Sequence, residues 1–445
     1  MVRIGNRSIL IVMIVTVVAV IVDNSIVSIA TSAGGMRSSI SDIALFTVMV
    51  LVFAVGQYVI LRFVKSKYLD RANETAITKS HTHWVDRITA FLQYALVVIL
   101  ASVIFQIVFI SSYHIYSLII AIFVSYGLSI VLLSLLAKYF FSWYRLNHSL
   151  VVLFYGLAMM LISINTIITM IYLPIEYTDN PLFIRSVRSL TGSLASPDVV
   201  FSSAYALTAI LLFVLTWIAT ALLLRHYSRK LGQIKYWVLV SIPLVYFLSQ
   251  FQPLFLFTFT EFRLSDPVLF GIVYTLLFSV SKPLGGVLFG VAFWMVARRL
   301  KDNKVKGYLI ISAYGMTLLF ASNQPTALIL VPYPPFGLVT ICFMGLASYL
   351  LYLGIYSSAV SVSEDSRLRQ TIRKIALKES QHFLDAIGTA EMEQEIQRKV
   401  LRFSENTKSL MEDETGISTS IDEDDIKRYL DEILVELKAK KNQQL

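Results

Sequence analysis

The sequence predicts an all-α, polytopic membrane protein of about ten transmembrane helices followed by a soluble helical tail, and three observations carry that expectation. The chain is built from long apolar blocks: 56% of its 445 residues are hydrophobic and 15% charged, with a mean hydropathy of +0.69, where soluble domains carry roughly a quarter charged residues. The charge is unevenly placed: residues 1–360 hold 24 Lys+Arg and 11 Asp+Glu, net +13, while residues 361–445 hold 14 and 18, net −4. The apolar blocks stop near residue 360, and the remainder of the chain is amphipathic. The expected division is a transmembrane helical domain over 1–360 and a cytoplasmic helical tail over 361–445.

A bilayer core takes about 20 apolar residues as helix. Ten segments qualify: 9–31, 43–64, 88–110, 115–137, 150–173, 201–224, 237–260, 268–297, 308–323 and 337–359. Each interior is expected to be helical, because lipid offers no partner for an unpaired backbone amide. With the N-terminus inside and one crossing per segment, the inner loops carry 19 Lys+Arg and the outer ones four, Arg37, Arg185, Arg188 and Arg263. That asymmetry places both termini in the cytoplasm and the protein in the cell membrane as a multi-pass chain. The start, MVRIGNR before SILIVMIVTVVAVIV and then ATSAGG, also resembles a signal peptide whose cleavage near Ala33 leaves nine spans. The apolar turn after Asp23–Ser25 favours an uncleaved first span.

The eighth segment is the informative one. Residues 266–300 are apolar almost throughout but contain Lys282, Pro283, Gly285 and Gly286. Two full crossings here would turn RRLKDNKVKG at 298–307 outward, against the loop charges, so the run is expected to cross once with more residues than it needs. Pro253, Pro283, Gly285 and Gly286 are candidate kink positions. A charge at the bilayer centre costs about 2.5–3.5 kcal/mol, so Lys282 either has a partner or snorkels to the outer interface. Candidate ligand-binding residues near it are Glu261, Gln250, Gln252 and Asn323. Asp23 falls toward the outer leaflet. Gln57, Gln93, Gln106 and Asn165 are isolated polar sites in the earlier spans, of the kind that hold helices together.

Two outer segments interrupt the pattern. Residues 174–200 carry three prolines and read as a partly ordered lid. Residues 322–337 carry four, with apolar ALILV between them, and read as an interfacial or re-entrant segment.

In the tail, Leu368, Ile372 and Ile375 share one helical face, and Met392, Ile396, Val400 and Phe403 mark a second amphipathic helix. A third starts at the capping-box pair Ser420 and Glu423. Its Ile426, Leu430, Ile433 and Leu437 have coiled-coil spacing over two turns. Tail helices 364–403 and 420–439 are thus candidate surfaces for a cytoplasmic protein partner or for homo-oligomerisation.

No nucleotide loop, HExxH or GxSxG is present, and six histidines include only one close pair, His81 and His83, with no acidic or cysteine partner to complete a metal set. The single cysteine, Cys342, excludes an internal disulfide and a multi-thiolate metal site. No metal, cofactor or enzymatic activity is expected. The basic residues sit in short loops without an extended basic surface, so no nucleic-acid partner is expected; the lipid bilayer is. Two functions remain. One is a sensor, receptor or scaffold whose membrane domain couples to the tail. The other is a secondary transporter or channel built around Lys282, against which stand the few membrane carboxylates and the lack of matching breaks in the first and sixth spans.

Overall fold

The computed structural model of the chain describes residues 6–32, 40–65, 79–110, 112–179, 197–225, 232–251, 259–300, 303–323, 334–364 and 383–397. Nearly all of these residues are helical, with no strand among them. In chain order the helices are α1 (Asn6–Ser32), α2 (Ile40–Val64), α3 (Lys79–Ile110), α4 (Ile115–Asn147), α5 (Leu150–Asp179), α6 (Pro197–Leu224), α7 (Gln233–Ser249), α8 (Thr260–Ser265), α9 (Pro267–Ser279), α10 (Ser281–Arg299), α11 (Asn303–Ser322) and α12 (Leu338–Glu364). A further helix, α13, covers 383–397. Gln252 and Pro253 lie outside the described residues. So do most of the two proline-bearing segments 174–200 and 322–337, tail positions 365–382, and everything after 397, including Val400, Phe403 and the helix expected over 420–439.

Eight helical stretches are long and apolar enough to cross a membrane: α2 to α6, the run Leu269–Arg298, α11 and α12. α1 and α7 contribute shorter apolar stretches, Ile11–Val27 and Gln233–Ser249. The burial is graded. Only 28% of the most apolar window of α3 is covered by the rest of the protein, whereas that of α12 is covered completely. α3 leaves Phe91, Val98 and Phe109 exposed, as a lipid-facing helix does. α12 is the central rod, packed against α11, α4, α2, α3 and α1.

Small residues set how closely the rods approach. Gly286 and Gly290 stand four apart on one face of α10, toward α11. A Cβ at Gly290 would lie 2.6 Å from the Ala313 carbonyl oxygen and would collide with the Thr317 hydroxyl. With hydrogen there instead, backbone meets backbone, and the Thr317 hydroxyl donates to the Gly286 carbonyl at 3.2 Å. This is the close approach through which membrane helices gain dispersion contacts where lipid supplies no hydrophobic drive.

The run 266–300 is broken, and the break is at Val280. α9 opens with Asp266, whose side chain accepts from the Leu269 amide at 3.0 Å, and has Pro267 in its first turn. Thirteen residues later the helix stops at Val280 and α10 begins at Ser281. Pro283 lacks the amide that would donate back to Ser279, and the Leu284 amide resumes the ladder on the Val280 carbonyl at 2.9 Å. The two halves have different neighbours: α9 packs on α1 and α8, α10 on α11, α7 and α6. Gly285 and Gly286 therefore sit beyond the break, where they allow close packing; a Cβ on Gly285 would run into the Phe213 ring.

Candidate functional site

Lys282 sits in the first turn of α10 and is 3% exposed. Its Nζ donates to the Asn323 backbone carbonyl at 2.9 Å and to the Tyr205 hydroxyl at 3.2 Å, and it lies 5.2 Å from the centre of the Tyr205 ring. α10, α6 and the end of α11 thus converge on one amine. Tyr205 is itself held: its carbonyl accepts from the Asn165 amide at 3.2 Å, which links α6 to α5. All these partners are neutral, and no carboxylate among the described residues pairs with Lys282.

Of the residues expected around Lys282, Asn323 is brought to it, through its backbone oxygen. Glu261 is exposed on α8 and forms no ion pair with the lysine. Gln250 joins α7 to α9 instead: its side chain donates to the Phe247 carbonyl at 2.8 Å and its own carbonyl accepts from the Tyr274 hydroxyl at 2.9 Å. The missed partner is Tyr205. Its only signal in the sequence is one hydroxyl-bearing ring near the start of the sixth span.

A second polar anchor lies where α12 begins. Gly337 has a left-handed φ of 91° and its carbonyl accepts from the Ile341 amide at 3.1 Å, which makes it the residue capping α12. Glycine fits that backbone and brings no side chain to the unpaired amides of the first turn. Asp23, from α1, supplies the missing group. Its carboxyl oxygens accept from the Gly337 amide at 3.1 and 3.2 Å, from the Thr340 amide at 3.0 Å and from the Thr340 hydroxyl at 2.7 Å. Asp23 is completely buried. An expected outer-leaflet residue is therefore a cap donated between helices 314 positions apart, which the helix dipole also favours.

At the opposite end of the bundle, α13 is packed against the membrane helices. Phe383 enters a ring of Phe140, Tyr155 and Phe293, with centroids 6.3, 5.8 and 6.1 Å away. The Trp143 indole donates to Glu391 at 2.9 Å and the Asn147 amide to the Ala386 carbonyl at 3.1 Å. Gln394 donates to the Ser142 hydroxyl. Gly388 faces Val362 near the end of α12, where a Cβ would meet the Val362 Cβ at 2.8 Å. The buried face is Phe383, Leu384, Ala386, Ile387 and Ala390. Of the amphipathic stripe expected in this helix, Met392 is half-buried and Ile396 is 40% exposed, both outside the docked face. Three large apolar residues, Phe383, Leu384 and Ile387, alternate with the small Ala386, Gly388 and Ala390 on the docking face, and two buried glutamates, Glu391 and Glu393, extend it.

No protein-family model, curated protein or solved structure matches the chain. The class that fold and site define is a polytopic all-α membrane protein, and its function has to be argued from geometry.

Proposed function

We propose that the protein is a cell-membrane sensor, receptor or scaffold whose membrane domain couples to its cytoplasmic tail. The observation that carries this is that one helix serves both ends. α10 holds Lys282 in its first turn and presents Phe293 to Phe383 eleven residues later, about 16 Å along the axis. A shift of α10 against α6 and α11 at Lys282 therefore reaches the α13 docking ring directly. α12 repeats the arrangement, gripped by Asp23 at one end and touched by Gly388 at the other. In this reading the chain crosses ten times with both termini cytoplasmic, and α1 is retained, since its carboxyl group caps the central helix.

The ligand chemistry rests on Lys282. An amine buried among neutral partners has no counter-charge to hold its protonated form, since burying a charge without one is costly. A small carboxylate entering from the outer face would supply it. Screening acetate, succinate and amino acids by thermal shift, on the wild type and on Lys282→Met, tests this. The wild type is expected to be stabilised by at least one acid and the variant by none. Limited proteolysis of the tail is then expected to change with that acid. If no acid separates the two proteins, the proposed ligand class is wrong.

The alternative, a secondary transporter or channel, is favoured by one observation, the helix break at Val280 beside the buried lysine, since broken helices line transport sites. Uptake of the same acid by proteoliposomes, undiminished when α13 is undocked by Phe383→Ala, would select it.

A further inference from the structure

On one face of α3, Asp86, Thr89 and Gln93 recur at intervals of three and four residues and look onto α12 and α2. Thr89 and Gln93 are fully buried, as is Gln57 across from them on α2. The Gln57 amide nitrogen donates to the Gln93 backbone carbonyl at 3.1 Å, which holds the Gln57 carboxamide against α3 beside Gln93. Four polar atoms of these three side chains have no partner: Gln57 Oε1, Thr89 Oγ1, Gln93 Oε1 and Gln93 Nε2. Helical side chains lean toward the N-terminus of their helix, so the Gln93 carboxamide lies over the turn that carries Thr89. Its nitrogen also stands against Gly345 of α12, 2.8 Å from where a Cβ would be. At one end of the stripe Asp86 is engaged by the Tyr349 hydroxyl at 2.9 Å.

An orphaned polar atom in a low-dielectric interior is expensive, and natural folds rarely tolerate several in one cluster. Nor is the cluster suited to a cation. Two of the oxygens belong to carboxamides, one is a hydroxyl, and the fourth group is a donor; the carboxyl on the same face, Asp86, is occupied by Tyr349. A group that both donates and accepts fits all four atoms. We propose that Gln57, Thr89 and Gln93 form an internal binding site for ordered water in the membrane core, between α2, α3 and α12. One or two waters there would have the two to four polar partners that buried waters need.

The test compares Gln93→Met and Gln57→Met, singly and together, in lipid nanodiscs. Methionine keeps length and flexibility while removing the polar atoms. If water completes the site, Gln93→Met strips it of partners and lowers the melting temperature; Gln57→Met lowers it in either case, because it also removes the bond to the Gln93 carbonyl, and with water present the double variant loses little more than the larger single loss, because one shared shell has already gone. A structure of the wild type at a resolution that shows waters is expected to have density within hydrogen-bonding distance of at least three of the four atoms. If the site is dry, Gln93→Met removes an unsatisfied group, the melting temperature stays level or rises, and no density is found. Either of those results overturns the proposal.

Discussion

Removing the Asp23 carboxyl group is the sharpest perturbation this bundle offers. In Asp23→Ala the α12 cap is lost, which by itself costs about 1 kcal/mol. That figure is for caps open to water; here the Gly337 and Thr340 amides are both buried, and leaving them unpaired raises it to about 1–3 kcal/mol each. The Thr340 hydroxyl is less affected, since the Val20 carbonyl lies 3.5 Å away as a second acceptor. Allowing for partial relaxation, the expected loss is about 3–5 kcal/mol. Asp23→Asn keeps one acceptor oxygen and should lose about 1–2 kcal/mol. Equilibrium unfolding in mixed micelles, read by tryptophan fluorescence, measures both. The order Ala, Asn, wild type in rising stability is the signature of a cap. If Asp23→Ala falls within about 0.5 kcal/mol of wild type, the change expected of an ordinary surface position, the cap is energetically idle and the reasoning fails.

Gly290→Leu should separate α10 from α11 and cost several kcal/mol, on the order of 3 or more, seen as a lowered unfolding midpoint; a neutral result would mean that the two helices do not meet as described. Phe383→Ala empties an aromatic ring and removes about 3–5 kcal/mol of local packing, enough to undock α13, so protease should cut the tail faster while the membrane helices keep their midpoint. Trp143→Phe deletes the donor to Glu391 and should loosen the same helix by about 1.5–3 kcal/mol, the range for bonds to a charged group. Lys282→Met removes a buried amine lacking a counter-ion but leaves the Asn323 carbonyl and the Tyr205 hydroxyl without their donor, so the two effects offset and the loss should stay below about 3 kcal/mol; a larger loss would assign Lys282 to the scaffold.

Much of the architecture could be read from residue patterns, because a lipid-exposed backbone leaves helix as the only spanning form in an all-apolar block. The interruption at 266–300 was legible for the same reason: lysine, proline and paired glycines are conspicuous in such a block. What pairs with what was not. Apolar periodicity separates core from water, but a membrane helix is apolar toward lipid and toward protein alike, so the central place of α12 and the outer place of α3 leave no contrasting stripes. Asp23 and Gly337 are joined only by the tertiary fold, and nothing local announces that a glycine cap is filled from another helix. In the tail, the stripe through Met392 and Ile396 could be read from spacing, but the docked stripe could not: Phe383, Leu384 and Ile387 alternate with Ala386, Gly388 and Ala390, and nothing local says which face meets Trp143, Asn147 and Val362.

The central position of α12 has a consequence for biosynthesis. The helix that fills the middle of the bundle is the last to leave the ribosome of the membrane-length helices among the described residues. At about 5–20 residues per second, the 314 residues between Asp23 and Gly337 take roughly 15–60 s to make. For that interval the earlier helices surround an unfilled slot and Asp23 waits for the amides it will cap. Assembly therefore closes at its final step, and a chain truncated before residue 337 lacks its keystone while retaining nearly all of its hydrophobic length. Such a product keeps its apolar helices but leaves Asp23 without the Gly337 and Thr340 amides it caps. It is the kind of substrate that membrane quality control detects by misplaced polarity.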